Sequence, residues 1–456
     1  MSSDPASPPR GFGLATATFV VVSSMVGTGV LTTSGYTVFF TQSNQLMLWL
    51  WFAGGVLALC GALTIAELSA ALPRTGGDYV FLHEAFGPVP AFLSGWVSFL
   101  VGFGGPIAVS GAAFAKYLLD PIGLPDSQSF WLEKILATAA VLAFAIIHAC
   151  GHRSGGVAQV ASTCFKLVAL GTLALVGLFA GWKRWPNLMD MPNASAIPWT
   201  AALSSLVYVS YAYTGWNGAG YIAGETRDAT RNVPRAIFLG TGLVLVLYLA
   251  LNVFYGLALS AQDIQSIVHG SSGSADVDRV APIAWVASSA LLGSRASGIL
   301  STIVGVTLLA SVSAYVLTGP RVLMAMAHTG QFPAFAGRVS PRTGAPVVAI
   351  WVQVAWALAL LWFAPFEQTL SYSGVGLALI SMLTVATIFP LRKRWGTSDR
   401  PFLMPAYPLV PIIFLVGSAL LTGAAFLAKP LESGLAVASI LCGIPIYYIW
   451  RWLQRR

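Results

Sequence analysis

Two glycine-rich stretches interrupt long apolar segments and have the chemistry to hold a small zwitterion. The first is VGTGV at residues 26–30, and the second is YAYTGWNGAGY at residues 211–221. Each glycine weakens a helix by about 1 kcal/mol relative to alanine. A helix that opens inside hydrocarbon frees polar backbone groups, so the opened backbone must line a cavity. There, the N–H groups of a half-helix attract a carboxylate, and exposed carbonyls attract an ammonium group.

The alternative for each stretch is that its glycines only allow close helix packing, as small residues do in many membrane helices. A single Gly-X-Gly favours that interpretation. Two interruptions at corresponding positions of two halves favour a binding site at the interface of inverted repeats.

Lys166 is the basic residue that lies well inside an apolar segment. A lysine at the centre of a membrane helix costs at least about 2.5 to 3.5 kcal/mol, which makes a functional role the first hypothesis. The alternative is a lysine that reaches the interface along its flexible chain, but about ten residues separate it from the start of its segment. It could carry a proton or remain a fixed cation.

The composition indicates a membrane protein with many spans. Of 456 residues, 56% are hydrophobic and 9% are charged, and the mean hydropathy is +0.76. Because about 20 apolar residues cross a bilayer core, we predict twelve spans in an all-α fold. The predicted spans are 13–41, 45–72, 87–118, 129–150, 155–181, 198–224, 235–259, 296–327, 345–363, 368–390, 405–428 and 434–453. The apolar stretch at 277–293 is too short to span and predicts an interfacial or re-entrant helix.

The net charge of +8 reports orientation, not a nucleic-acid partner. Most basic residues fall in the even-numbered connections and in the tails, such as Arg10, Arg455 and Arg456. By the positive-inside rule, both termini are cytoplasmic, and the chain is a multi-pass protein of the cell inner (plasma) membrane, in contact with lipid. Glu67 and Glu225 are expected near cytoplasmic helix ends, in structural ion pairs with arginines.

The spans fall into two successive groups of five, each of which begins with an interrupted helix. We therefore predict an N-terminal tail at 1–12, a first repeat at 13–181 and an inverted second repeat at 198–390. Two further spans at 405–453 and a cytoplasmic end at 454–456 complete the chain. An odd number of spans per repeat inverts the second repeat in the membrane, which provides the symmetry needed for alternating access.

Five stretches together resemble a known family. They are SSMVGTGVL, AELSAALPRTGGDYVFLHEAFGPVPAFLSGW, CFKLVAL, YAYTGWNGAGYIAGETRDATRNVPRAI and SAYVLTGPRVLMAMAHTGQFPAFAGRVSPRTGAPVVAI. In this order they resemble the amino acid, polyamine and organocation transporter superfamily, and within it the bacterial permeases similar to L-type amino acid transporters. The resemblance implies a five-plus-five inverted repeat like that of the leucine transporter fold, with broken helices 1 and 6.

The resemblance also implies roles for individual residues. The backbone around Gly27, Thr28 and Gly29 would bind the α-carboxylate. Carbonyls near four residues would meet the α-amino group: Met25, Val26, Tyr211 and Tyr213.

Tyr211 would also act as an aromatic gate over the substrate, while Thr214 and Gly215 would line the side-chain pocket. Because the family often has glycine at the position of Thr214, this pocket would suit small or medium neutral substrates. Lys166, with Ser311 as its partner, would occupy the space that sodium fills in sodium-coupled relatives, so that transport is sodium-independent.

The function expected is secondary transport of neutral L-amino acids, by exchange or by proton symport. A cationic amino acid or polyamine carrier is the alternative within the superfamily, and a channel is the alternative from another class. There is no GxxxxGK[ST] loop for an ATP-driven pump, and five scattered histidines do not make a membrane enzyme. No cofactor, metal or disulfide-linked heavy subunit is expected, and a monomer is compatible with the sequence.

Overall fold

The computed structural model describes residues 11–119, 122, 124–189, 199–269, 282–363, 366–396, 400–428 and 430–454. The predicted tail at 1–12 and end at 454–456, with Arg10, Arg455 and Arg456, therefore lie largely outside the described residues. Helices dominate the part that is described. In chain order they are α1 (Leu14–Met25), α2 (Thr28–Thr41), α3 (Asn44–Ala71), α4 (Asp78–Phe86), α5 (Pro88–Val97), α6 (Gly104–Leu119), α7 (Asp126–Ala149), α8 (His152–Gly181), α9 (Trp199–Ala212), α10 (Ala229–Ala258), α11 (Ala261–His269), α12 (Ile283–Leu292), α13 (Ser294–His328), α14 (Val347–Phe363), α15 (Phe366–Ala386), α16 (Ile388–Trp395), α17 (Leu409–Ala428) and α18 (Pro430–Gln454).

Ten helical segments among the described residues are long and apolar enough to cross a membrane. They are Leu14–Thr41, Asn44–Ala71, Pro88–Leu119, Ser127–Ala149, Arg153–Leu188, Ala229–Ala258, Ser297–His328, Gly374–Trp395, Leu409–Leu427 and Ser433–Gln454. Each overlaps one predicted span, which confirms an all-helical protein with many spans.

Two predicted spans are shorter in the structure. The span predicted at 198–224 is divided into α9, of 14 residues, and a 3₁₀ segment at Gly218–Glu225, of 8 residues. The span predicted at 345–363 is the 17-residue helix α14. The segment predicted to be interfacial forms α12, which is only 10 residues long.

The first interrupted helix lies at the centre of the bundle. α1 packs against α8, α10 and α13, and the 3₁₀ segment packs against both α1 and α13. The residues of α1 from Val20 to Met25 are all buried. Large apolar side chains instead cover the outer helices, where they are exposed as expected for contact with lipid. The backbone that opens is therefore surrounded by protein, as irregular backbone at membrane depth requires.

Ion pairs fix the helix ends at one face of the bundle, here called the N-terminal face because Phe12 pairs there with Thr226. Glu67 at the end of α3 binds Arg392 and Arg400, at 2.5 and 2.6 Å. Glu225 at the end of the 3₁₀ segment binds Arg321 of α13, at 3.0 Å. Both predicted structural ion pairs are thus confirmed, and each carboxylate is fully buried.

Candidate substrate site

The first break spans two residues between α1 and α2. Val26 has φ −76° and ψ 88°, and Gly27 has φ −121° and ψ −147°, so the helical hydrogen-bond ladder stops there. Gly27 precedes α2 without a side-chain cap. The first N–H groups of a helix have no partner within it, so those of Thr28, Gly29 and Val30 are available to a ligand. A positive helix end with free donors is suited to a carboxylate.

The carbonyls of Ser24 and Met25 at the end of α1 accept hydrogen bonds from side chains of two other helices and from the backbone of Gly27. The Tyr315 hydroxyl of α13 donates to the Ser24 carbonyl at 2.5 Å. The Met25 carbonyl accepts the N–H of Gly27 at 2.9 Å, and the Tyr248 hydroxyl of α10 lies 2.7 Å from it. Because each freed carbonyl has a donor, the break is stable within the bundle.

Lys166 of α8 points its ammonium group at the same break. It donates to the Val26 carbonyl, and to the Ser311 hydroxyl of α13 at 2.8 Å. The Ser311 hydroxyl lies 2.9 Å from the Val26 carbonyl and 3.0 Å from the Ser23 carbonyl, and it donates to one of them at a time. Both Lys166 and Ser311 are fully buried. Lys166 therefore links span one to span eight, because it donates hydrogen bonds to an oxygen atom of each.

The second break lies between α9 and the 3₁₀ segment. Gly215 has φ +103°, a conformation that residues with a side chain rarely adopt. A Cβ atom at this position would lie 2.5 Å from the Ser24 carbonyl oxygen, so only glycine allows this approach to the first break. The Tyr211 carbonyl accepts the N–H of Thr214 at 3.0 Å and its hydroxyl at 2.7 Å. Thr214 therefore supplies hydrogen bonds to a carbonyl near the C-terminal end of α9.

The two breaks contact each other directly. The Tyr248 hydroxyl lies 2.7 Å from the Met25 carbonyl and 2.9 Å from the Ala212 carbonyl, so it bridges the last residues of α1 and α9. A Cβ atom added to Gly29 would lie 2.6 Å from the Ala212 Cα atom. The N–H groups of α2 thus lie beside the second break.

A cavity lies beside the two breaks. Its empty volume, including the part open to solvent, is about 620 Å³. Many of the lining side chains carry a hydroxyl or an amide. Several others are aromatic. The lining comprises Ser24, Ser98, Gly102, Phe103, Pro106, Tyr211, Thr214, Gly215, Trp216, Asn217, Gly218, Tyr221, Tyr315, Thr318, Leu377 and Ser381.

Three of the predicted substrate-binding residues line this cavity: Tyr211, Thr214 and Gly215. Tyr213 points elsewhere, since its hydroxyl donates to the Trp51 carbonyl of α3 at 3.0 Å. The five predicted residues of the first break are not among the lining residues, although the adjoining Ser24 is: they are Met25, Val26, Gly27, Thr28 and Gly29.

Sequence reasoning did not assign the tyrosines that satisfy the break or the amide of Asn217. Tyr248 and Tyr315 stand in apolar runs, where tyrosine usually signals packing or an interface. Their roles depend on contacts with residues more than two hundred positions away. Asn217 lies within the glycine-rich stretch of the second break. A polar amide at membrane depth was the one feature of the sequence that could have indicated its role.

A family model described as amino acid permease matches residues 12–447. The chain belongs to the amino acid permease family. The match runs through all the helices that form the two breaks, including α8 with Lys166 and α13 with Ser311.

Individual relatives cover this permease almost from end to end. It is 28% identical over 442 residues to a serine/threonine exchanger of Bacillus subtilis, covering 96% of each chain. It is 26% identical over 449 residues to Asc-type amino acid transporter 1 of Mus musculus, covering 97% of the permease and 82% of the relative. It is also 26% identical over 458 residues to the large neutral amino acids transporter small subunit 2 of Mus musculus, covering 98% and 82%.

Proposed function

We propose that this permease is a secondary carrier that exchanges small neutral L-amino acids across the membrane without sodium. The observation that carries the proposal is the contact between two helix breaks, with free N–H groups at the start of α2 beside a polar cavity. The relatives, which are exchangers or transporters of amino acids by name, support the same substrate class.

The carboxylate of the substrate is proposed to bind the N–H groups around Gly27, Thr28 and Gly29. These groups are preorganised by the helix, so binding requires little ordering of the protein. Tyr211 lines the cavity and directly precedes Ala212, which Gly29 of the first break contacts. It would therefore act as the gate, moving aside to admit the carboxylate.

The ammonium group is proposed to bind carbonyls of the same breaks. The carbonyls of Met25, Val26 and Tyr211 accept hydrogen bonds from protein donors in this conformation. Ser24 lines the cavity, and its carbonyl is held only by the Tyr315 hydroxyl among the side-chain contacts that the structure describes. We therefore expect the ammonium group to compete first with Tyr315 for the Ser24 carbonyl.

Selectivity for small side chains follows from the lining of the cavity. Thr214 occupies a corner next to Tyr211 and is fixed there by its hydrogen bond, so it reduces the width of the pocket. Hydroxyls of Ser98, Thr318 and Ser381 can receive a hydroxylated side chain. Serine, threonine and alanine are the substrates that this lining fits best.

Sodium independence is proposed because the Lys166 ammonium holds the oxygen atoms that a coupling cation would need. It contacts the Val26 carbonyl and the Ser311 hydroxyl, which are the hard oxygen ligands that bind alkali and alkaline-earth cations. A fixed positive charge at this position would link α1, α8 and α13 in every transport cycle. Replacing sodium by potassium in the assay should leave the transport rate unchanged.

The alternative within the superfamily is a carrier for cationic amino acids or polyamines. None of the described residues that line the cavity is acidic, so a second ammonium group would find no direct counter-charge. Competition experiments decide between the two substrate classes.

The decisive assay uses purified protein in liposomes with labelled L-serine outside. Uptake should require unlabelled neutral amino acid inside, and L-threonine and L-alanine should compete. Competition by lysine or putrescine alone would favour the cationic carrier. Uptake that does not saturate, accompanied by single-channel currents in a bilayer, would show a channel and overturn the carrier.

The arrangement of the chain in the membrane is part of the proposal. We propose twelve spans, in which the broken span predicted at 198–224 and the short helix α14 cross the membrane together with the ten longer segments. Repeats at 13–181 and 198–390 would rock against each other, with both termini in the cytoplasm and the protein in the inner membrane. It would work without a disulfide-linked heavy subunit and is compatible with a monomer.

A further inference from the structure

A buried carboxyl group lies directly behind the cavity, outside the predicted site. Asp78 is the first residue of α4, which follows the loop after α3 and lies outside the long apolar segments. The residue is only 3% exposed. The loop before it contacts the 3₁₀ segment, since the Gly76 N–H donates to the Tyr221 carbonyl at 3.1 Å.

The carboxyl group of Asp78 is hydrogen-bonded to two residues of the cavity wall. Its Oδ2 atom accepts the amide of Asn217 at 2.9 Å and the hydroxyl of Tyr221 at 2.9 Å. Asn217 lies in the second break and Tyr221 in the 3₁₀ segment that follows it, and both line the cavity. The Oδ1 atom is buried and has no hydrogen-bond partner among the described residues. One oxygen is therefore free to hold a proton.

The charged groups around Asp78 form ion pairs or hydrogen bonds with other residues. On the elements that pack against α4, Arg321 of α13 binds Glu225, and Arg392 of α16 binds Glu67. Arg394 of α16 donates to backbone carbonyls of α4. The helix α5 and the described side chains of α15 carry no charge.

The remaining titratable neighbours are in α4 itself, in the adjoining loop and on α13. Tyr79 bonds Thr329, and the His83 ring lies 6.0 Å from the Tyr79 ring. Glu84 pairs with Arg74, and His328 bonds the Gly337 carbonyl. No cation among the described residues thus neutralises Asp78. Burial without a counter-charge disfavours the carboxylate, and it raises the pKa of Asp78 to about 6, although the two hydrogen bonds act in the opposite direction.

We propose that Asp78 is a proton-binding site of the transport cycle, protonated while it is buried behind Asn217 and Tyr221 and deprotonated when the cavity opens to water around it. The proton comes from water at the N-terminal face and returns to it, so no other reactant is needed. The inference rests on the proposed transport function, because the proton would bind and leave as the second break moves during transport.

The sign of the pH effect follows from linkage. A carboxyl whose pKa is raised in one conformation stabilises that conformation at low pH and loses the effect as pH rises through the raised value. With a pKa of about 6 here and 3.8 when hydrated, lowering the pH from 7.5 to 5 favours the present conformation about tenfold. Exchange requires leaving this conformation, so its rate should fall by up to about tenfold, with an inflection near pH 6.

The test is the rate of L-serine exchange in liposomes with the same pH on both sides, from pH 5 to 8. Wild type should show the inflection. Asp78→Asn carries a permanently neutral group of the same shape, so its rate should be low and independent of pH in this range. The control Glu84→Gln changes an acid on the same helix that lies in a surface ion pair, and it should keep the inflection. An unchanged inflection in Asp78→Asn overturns the proposal.

A second variant removes the risk that Asp78→Asn is slow because it folds poorly. Tyr221→Phe deletes one hydrogen bond to the carboxylate, and since that bond lowers the pKa of Asp78, the inflection should move to higher pH. An inflection that stays in place contradicts the proposal. If wild type shows no exchange at any pH, the proposed function fails. If it exchanges at a rate independent of pH, only the proton site fails.

Discussion

Replacement of Lys166 by methionine removes the buried charge while keeping most of the side-chain volume. The ammonium group holds the Val26 carbonyl and the Ser311 hydroxyl. Hydrogen bonds to charged groups contribute about 1.5 to 3 kcal/mol each. The Val26 carbonyl keeps a donor in the variant, because the Ser311 hydroxyl lies 2.9 Å from it. Lys166→Met therefore loses the free energy of about one hydrogen bond to a charged group.

A loss of about 1.5 to 3 kcal/mol corresponds to a ten- to hundredfold decrease in the exchange rate or in substrate affinity. Stability should behave differently. A buried charge pays a large desolvation cost, and replacing it with an apolar group of similar volume is often neutral or stabilising. We therefore expect Lys166→Met to unfold at the same temperature as wild type, or at a higher one, while its exchange is strongly reduced.

The assay compares L-serine exchange in liposomes with thermal unfolding in detergent for wild type, Lys166→Met and Lys116→Met. Lys116 is an exposed lysine on α6 and serves as the matched control. Exchange by Lys166→Met at the wild-type rate would refute the role of the lysine. A parallel loss of stability and exchange would show that the lysine only supports the fold.

Three further variants test the contact between the breaks. Gly29→Val places a side chain 2.6 Å from the Ala212 Cα atom and should abolish binding of L-serine, whereas Gly171→Val, at a position with open space, should bind normally. Tyr248→Phe loses the bridging hydroxyl, worth about 1 kcal/mol, and its exchange rate should fall about fivefold. Thr214→Gly widens the pocket, so competition by L-leucine relative to L-serine should improve roughly threefold or more. Normal serine binding by Gly29→Val, full exchange by Tyr248→Phe, or unchanged selectivity in Thr214→Gly would each contradict the corresponding contact.

The sequence was sufficient to locate the breaks because glycine has a direct physical meaning in a membrane helix. Gly27 and Gly215 stand where the helices open, and the φ of +103° at Gly215 explains why glycine is needed there. Lys166 was equally visible, since a lone charge within an apolar segment is costly. Its partner Ser311 was reached only through resemblance to a family, because serines are common in these spans.

Contacts that depend on the three-dimensional arrangement could not be predicted. Tyr248 joins the two breaks only because α10 packs against α1, and no local pattern encodes that pairing. Asp78 follows two glycines in a polar loop, where an aspartate is ordinarily solvated. Its burial results from the approach of the second break, through Asn217 and Tyr221. The span at 198–224 is predicted to be interrupted at residues 211–221, and the structure divides it there into α9 and the 3₁₀ segment.

In the proposed site, the facing breaks bind the backbone of an amino acid. A structure of the permease determined with bound L-serine tests this binding mode. We expect the carboxylate within hydrogen-bond distance of the N–H groups of Thr28, Gly29 or Val30, with the side chain beside Thr214. Density for serine in another cavity, with the first break unchanged and unoccupied, would contradict it.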